Sequence, residues 1–138
     1  MPREQWICPV CGRRLHVRNQ EHSCESYSLE HHFAGKSELA PLAYEWLKET
    51  FENCGPTDVH ALKTMIIFQA RSNIASLEFQ KKSVLMGLML DHVPGNPLVV
   101  RSDPYGEFKS ICRFRITDAI QFDEELANLA RAAYALAS

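Results

Sequence analysis

The chain has 138 residues, of which 46% are apolar and 23% are charged, a composition that fits one ordinary domain or a domain of about a hundred residues with a small appendage. Its apolar residues form no run near the roughly 18 that a membrane-spanning helix needs, and the opening residues lack the apolar run of a secretory signal. The composition therefore excludes a membrane span, and we expect a soluble cytoplasmic protein.

The net charge of −2 is spread unevenly along the chain. Residues 59–116 hold eight basic against four acidic side chains, whereas residues 27–58 hold two basic against six acidic ones. Residues 117–138 are again acidic, with one basic side chain against four acidic ones. The sequence leaves two interpretations open: the charges balance one another between packed elements, or the basic middle forms an anion-binding surface.

The N-terminal segment concentrates metal-ligand residue types. Cys8, Cys11, His22 and Cys24 follow the spacing C-x2-C-x10-H-x-C. Two residues between thiolates let both sulfurs face one ion, and alternate residues of an extended segment, such as His22 and Cys24, point to the same side. A Cys3His set fills the tetrahedral shell of zinc and leaves no position for substrate. We therefore predict a structural Zn²⁺ ion in a hairpin module over residues 1–26.

Two alternatives to zinc remain for these cysteines. A disulfide would require an oxidising compartment, which nothing in the sequence indicates. A redox-active Cys8–Cys11 pair would be expected at a strand-to-helix junction inside a βαβ unit, whereas here the pair lies within a few residues of the start. His16 competes with His22 as the nitrogen ligand, but the strand-like pattern around it turns it outward.

Residues 27–138 predict an α+β domain. Apolar residues recur at helical spacing from Leu39 to Phe51, and Gly55-Pro56 ends that helix. A second helix follows Asp123, its expected N-cap, and carries its apolar stripe from Leu126 to Ala137.

Between these helices, four apolar runs indicate strands, at residues 64–70, 73–80, 83–90 and 108–116. Two-residue connections favour antiparallel hairpins, and the wholly apolar run at 83–90 predicts a central strand. The interval 91–107, rich in Pro and Gly, reads as a long loop. The expected architecture is a zinc hairpin followed by a roughly four-stranded antiparallel sheet flanked by two main helices.

Several short motifs together resemble a known family: W-x-C-P-x-C-G-R, N-Q-x-H-S-C, L-E-H-H-F-x-G-K, K-T-x-I-x-F-Q-A-R and a closing D-x-E-L with A-Y. The chain is similar, from Trp6 to Tyr134, to the bacterial family called domain of unknown function 5655, whose members often carry a zinc-finger-like N-terminus. This resemblance implies a small intracellular bacterial protein with the family's fold, and it implies no activity.

The sequence gives little support for catalysis and leaves enzyme status undecided. It contains no phosphate-binding glycine loop, nucleophile elbow or H-E-x-x-H motif. His31 and His32 are neighbours on a predicted helix, so one should face inward and the other outward. Cys54 and Cys112 lie in apolar patterns that indicate buried thiols.

Three functions remain as hypotheses. The first is a non-catalytic binding or interaction module with a structural zinc site, which includes self-association through the uncovered sheet face. The second is a nucleic-acid-binding accessory protein that uses its basic residues, though the acidic net charge favours weak binding only. The third is a small-molecule enzyme or ligand sensor whose pocket, near His92 and Arg101, also includes Arg71 and Tyr105.

Overall fold

A computed structural model of the chain describes residues 6–15 and 27–138. The described elements, in chain order, are β1 (Trp6–Ile7), β2 (Arg14–Leu15), α1 (Leu29–Phe33), α2 (Leu39–Glu52), β3 (Asp58–Ala61), β4 (Ile66–Gln69), β5 (Asn73–Phe79), β6 (Val84–Leu90), β7 (Val99–Tyr105), β8 (Lys109–Ile116), a short 3-10 helix (Ala119–Gln121) and α3 (Glu124–Ala137). The α+β class is therefore confirmed.

The main sheet has six antiparallel strands in the order β3-β4-β5-β6-β8-β7. The four predicted strands form its centre, with β6 between β5 and β8, so the predicted central position of the apolar run is confirmed. The expected strand number was too small, because β3 and β7 add one strand at each edge. The interval 91–107, predicted as a loop, contains the seven-residue strand β7.

The two missed strands give weaker sequence signals than the central ones: β3 alternates polar and apolar residues over four positions only, and β7 lacks a clear apolar alternation. An edge strand exposes one row of backbone groups, and charged residues and proline there prevent pairing with other chains. In β7, Arg101 and Asp103 alternate with polar residues, and Pro104 has no N–H to offer. At the other edge, the Tyr27 N–H donates to the Ala61 carbonyl of β3 at 2.9 Å.

Helices α2 and α3 pack on one face of the sheet and on each other, and this face is called the helix-covered face below. Residues paired across antiparallel strands share a face, so the register Phe68↔Ala75 and Met86↔Phe114 places these four side chains together. Each of the four is buried, in one core with the inner residues of the two helices. That core stabilises the fold by removing apolar surface from water.

The helix termini follow ordinary capping chemistry. Asp123 is the N-cap of α3, as predicted, and its carboxylate accepts the Leu126 N–H at 2.9 Å. Before α1, the Ser28 hydroxyl accepts the His31 N–H at 3.1 Å. Within residues 6–15 and 27–138, no helix has both the length and the apolar character to cross a membrane.

Candidate functional site

The sheet face opposite the helices, called the open face below, differs from the helix-covered face in chemistry. Every second residue of each strand points its side chain to the open face. Near the centre, Leu85 and Ile111 are half-buried, while Arg115 is exposed. Arg101 Nε and Arg113 Nη1 both contact the Asp103 carboxylate, at 2.8 and 2.9 Å. The open face thus combines apolar side chains, an ion-paired group formed by Asp103 and two arginines, and the exposed Arg115.

The N-terminal hairpin, β1 paired with β2, lies against the β3–β4 end of the open face. Gln69 forms the link: its Oε1 accepts the Arg14 N–H at 3.2 Å, and its Nε2 donates to the Arg14 carbonyl at 3.0 Å. Gln69 Nε2 also donates to Asn73 Oδ1 at 2.5 Å. A side-chain amide that pairs with both backbone groups of one residue acts as a strand partner would. Because Gln69 is only 1% exposed, these bonds fix the hairpin to the sheet.

Charged groups surround this junction. Arg14 Nη1 bonds the Asp58 carboxylate. Burial lowers the pKa of His60, which faces the same region; Asp58 opposes that shift, while Arg13 and Arg14 add to it. Within residues 6–15 and 27–138, the buried atoms His60 Nε2 and Arg13 Nε have no hydrogen-bond partner. The neutral form of His60 is therefore favoured next to two guanidinium groups.

Two of the four predicted zinc ligands lie in the turn that joins β1 to β2. The Cys8 N–H donates to the Arg13 carbonyl at 3.0 Å, and the Gly12 N–H donates to the Cys8 carbonyl at 2.8 Å. Gly12 has a φ of 75°, a conformation that favours glycine directly after Cys11. Cys8 is 3% exposed and Cys11 is half-buried. This tight turn fits the first half of a Cys3His zinc site.

The other two predicted ligands, His22 and Cys24, lie outside the described residues, as does the competing His16. Among residues 6–15 and 27–138, no group of three metal-ligating side chains comes together. Because half of the predicted set falls elsewhere, the zinc assignment stays a prediction. The boundary between a module at 1–26 and a domain at 27–138 also falls at residues that are not described.

Two cavities flank the turn between β4 and β5. One, of about 350 Å³, lies at the seam between the N-terminal hairpin and the sheet, and Arg14, Asp58, Arg71 and Tyr134 are among its lining residues. The other, of about 460 Å³, lies at the β7–β8 end. The residues that line the second cavity are Ser72, Asn73, Met89, Tyr105, Gly106, Glu107, Phe108 and Lys109.

The structure does not bring the residues of the predicted ligand pocket together in one cavity. Arg71 lines the seam cavity and Tyr105 lines the larger cavity, whereas His92 and Arg101 line neither. His92 Nδ1 instead contacts the Asp91 carboxylate at 2.7 Å on the surface. That contact lowers the pKa of Asp91, which is fully exposed.

The remaining histidines of the catalytic hypothesis have structural contacts. His32 is buried and its Nε2 donates to the Leu62 carbonyl at 2.6 Å, while His31 is exposed and contacts the Lys63 carbonyl at 3.1 Å. The predicted inward and outward orientations are thus confirmed. Burial lowers the pKa of His32, although the bond to Leu62 opposes the shift.

The two cysteines within residues 27–138 differ from each other. Cys112 is buried in the core, as predicted, and burial raises the pKa of its thiol. Cys54 is exposed, so its predicted burial was wrong. It lies just beyond the end of α2, where its thiol donates to the Thr50 carbonyl at 3.4 Å and its side chain remains outside the helix packing.

Sequence reasoning missed Gln69 and Phe108. A single polar residue inside the apolar run of β4 was the available signal for Gln69, but its partner lies 55 residues away. Phe108 was assigned to a strand, whereas it belongs to the turn before β8 and is 83% exposed. The preceding Gly106, with a φ of 72°, was the signal for that turn.

Comparison with known proteins places the chain in one family. No curated protein and no solved structure matches it. A family model described as "Domain of unknown function (DUF5655)" matches residues 29–137, which leaves the N-terminal cysteines outside the matched range. Because the match spans most of the chain, the protein belongs to the family of the domain of unknown function DUF5655.

Proposed function

We propose that this chain is a non-catalytic binding module whose binding surface is the open face of the sheet, with a structural zinc ion in its N-terminal hairpin. The observation that carries the proposal is the contact between Gln69 and Arg14, which holds the hairpin at one end of that face. The strands β5, β6, β8 and β7 keep their half-buried and exposed side chains available on the same face.

The zinc part of the proposal rests on the turn and on the donor set. Cys8 and Cys11 belong to one tight turn, and Cys8 is buried, as a structural ligand should be. Together with His22 and Cys24 they would hold Zn²⁺, which when bound cross-links the segment and contributes about 10–16 kcal/mol in small finger peptides. The proposal takes the chain as a cytoplasmic bacterial protein, an environment that keeps thiols reduced.

The charges on the open face favour a protein partner over nucleic acid. Three of the arginines that could contact phosphate are paired with carboxylates: Arg14 with Asp58, and Arg101 and Arg113 with Asp103. Asp58 offsets the charge of Arg14, and Asp103 offsets one of the two charges of Arg101 and Arg113, so these arginines should release fewer counterions on binding nucleic acid than unpaired ones would. Apolar side chains such as Leu85 and Ile111 among paired charges resemble a protein interface more closely.

Metal analysis of two cysteine variants tests the zinc site. Cys11→Ser should reduce bound zinc from about one ion per chain to well below half, because a hydroxyl is a poor zinc ligand. Cys54→Ser is the matched control, since Cys54 is exposed and outside the N-terminal hairpin. The expected zinc content of this control is unchanged.

The same samples provide a second readout that does not depend on metal analysis. Loss of zinc should make the N-terminal segment more sensitive to protease, because the segment is too short to fold on a core of its own. The zinc assignment is wrong if Cys11→Ser keeps both its zinc and its protease resistance.

A further inference from the structure

The turn between β7 and β8 exposes an aromatic side chain that the rest of the fold does not use. Phe108 is 83% exposed, whereas Tyr105 and Lys109, on the two strands that the turn joins, are half-buried. Tyr105 pairs with Lys109 across the turn, and Lys109 Nζ donates to the Leu136 carbonyl of α3 at 3.2 Å. Phe108 is therefore presented to solvent from a supported hairpin.

The 460 Å³ cavity begins beside this ring. Met89, on the open face of β6, is 5% exposed and forms an apolar part of its lining, together with Tyr105. Pockets of about 300–1,000 Å³ hold ligands of small-molecule size, so this cavity has room for one aromatic side chain. The surface thus combines a projecting phenyl ring with a cavity that accepts one.

The projection and the cavity share the same patch, because Phe108 is itself one of the lining residues. When a patch contains both partners of a contact, a two-fold axis lets each copy insert its ring into the other. An isologous contact of this kind closes with two chains. We propose that a second copy of this chain binds at the β7–β8 end of the open face, with each Phe108 ring in the other copy's cavity.

The charges around Phe108 agree with this occupant. Glu107 and Lys109 lie on either side of it, so the patch carries one acidic and one basic side chain. Behind them, the Asp103 carboxylate is shared by two arginines. Two such patches facing each other place opposite charges within reach and avoid a net repulsion. The carboxylate of Glu107 beside the ring disfavours a phosphate backbone at the same place.

This inference rests on the proposed function, because it names the partner of the same open face. Sedimentation velocity of the full chain, over concentrations up to about 1 mM, should show a monomer–dimer equilibrium. Phe108→Ser should raise the dimer dissociation constant by about tenfold or more, since buried aromatic residues are the usual hot spots of interfaces. Because Phe108 is exposed, Phe108→Ser should fold as the native chain does, and circular dichroism checks this.

Ile120→Ser is the matched control. Ile120 is 81% exposed, close to the value for Phe108, but it lies on the short 3-10 helix and does not line the cavity. The control should dimerise as the native chain does. A second readout locates the contact: the Met89 methyl resonance should shift with concentration in the native chain and in Ile120→Ser, and should stay fixed in Phe108→Ser.

Two outcomes would overturn the inference. A native chain that stays monomeric at the highest concentration excludes the second copy, and so does an equal effect of Phe108→Ser and Ile120→Ser. Zinc content measured on these samples separates this failure from failure of the proposed function. If the chain is a monomer that holds one zinc ion, only the inference of self-association is wrong. If the chain holds no zinc, the proposed structural zinc site is wrong.

Discussion

The two faces of the same sheet have opposite characters. On the helix-covered face, side chains such as Leu77 and Leu88 are wholly buried in the apolar core. On the open face, Leu85 is only half-buried, and paired charges and a docked hairpin share the surface with it. Stability of the fold therefore depends mainly on one face, which leaves the other face free to carry binding residues.

The largest expected effect tests this division directly, by making the same leucine-to-alanine substitution once on each face of β6. Leu88→Ala, on the helix-covered face, should reduce the free energy of unfolding by about 3–5 kcal/mol, because it leaves a cavity in a fully buried core. Leu85→Ala, three residues earlier on the open face, should cost about 1 kcal/mol. Denaturant unfolding measures both, and equal losses would contradict the division.

A smaller effect is expected at the junction between the open face and the N-terminal hairpin. Gln69→Ala removes three hydrogen bonds and should reduce stability by about 1.5–4.5 kcal/mol, because each bond contributes about 0.5–1.5 kcal/mol net. The hairpin should also become accessible to protease, since the backbone N–H and carbonyl of Arg14 lose the Gln69 side chain as their partner.

Gln80→Ala is the control for this experiment. Gln80 is an exposed glutamine at the β5–β6 turn, where its side chain accepts the Ser83 hydroxyl at 2.6 Å. Its removal should change stability by less than about 0.5 kcal/mol. If Gln69→Ala behaves in the same way, attachment of the hairpin to the sheet does not depend on the Gln69 amide. The part of the open face that the hairpin leaves accessible would then be larger.

The smallest expected effect is a dependence of stability on pH. Burial lowers the pKa of His32 below the ordinary 6.5, so the unfolded chain binds a proton more readily than the folded chain does. Stability should be fully present above about 6.5 and should fall as the pH decreases through that value toward the lowered pKa. The pKa of His60 is also lowered by burial, so His60 should add to the loss of stability as the pH decreases.

The variant His32→Gln isolates the contribution of this residue. Glutamine can still donate to the Leu62 carbonyl, but it does not titrate. The slope of unfolding free energy against pH, measured from about 7.5 to about 5, should therefore be flatter in the variant than in the native chain. An unchanged slope would show that His32 does not contribute to the acid sensitivity.

The sequence predicted those parts of the molecule whose signal is local. The helical stripe from Leu39 to Phe51 and the Asp123 cap were readable because burial imposes a short period on neighbouring residues. The edge strands β3 and β7 were missed, because β3 has only four residues and β7 carries polar residues and a proline where an apolar stripe would be expected.

For the candidate site, prediction from the sequence failed where contacts join residues that are distant in the chain. The Gln69 link joins positions 55 residues apart, and no pattern within one segment encodes it. Likewise, Arg71 and Tyr105 line separate cavities, although their residue types suited one pocket. The spacing of Cys8 and Cys11, by contrast, is local, and the tight turn between them was foreseeable.

The way β7 ends the sheet limits the size of any assembly that this chain forms. Continuous fibre growth requires each added chain to hydrogen-bond along an unprotected strand, and Pro104 interrupts the row of donors on β7. At the opposite border, Tyr27 already uses the Ala61 carbonyl. Polymerisation by strand addition is thus disfavoured at both borders. High local concentrations should therefore yield small, soluble complexes instead of amyloid-like deposits.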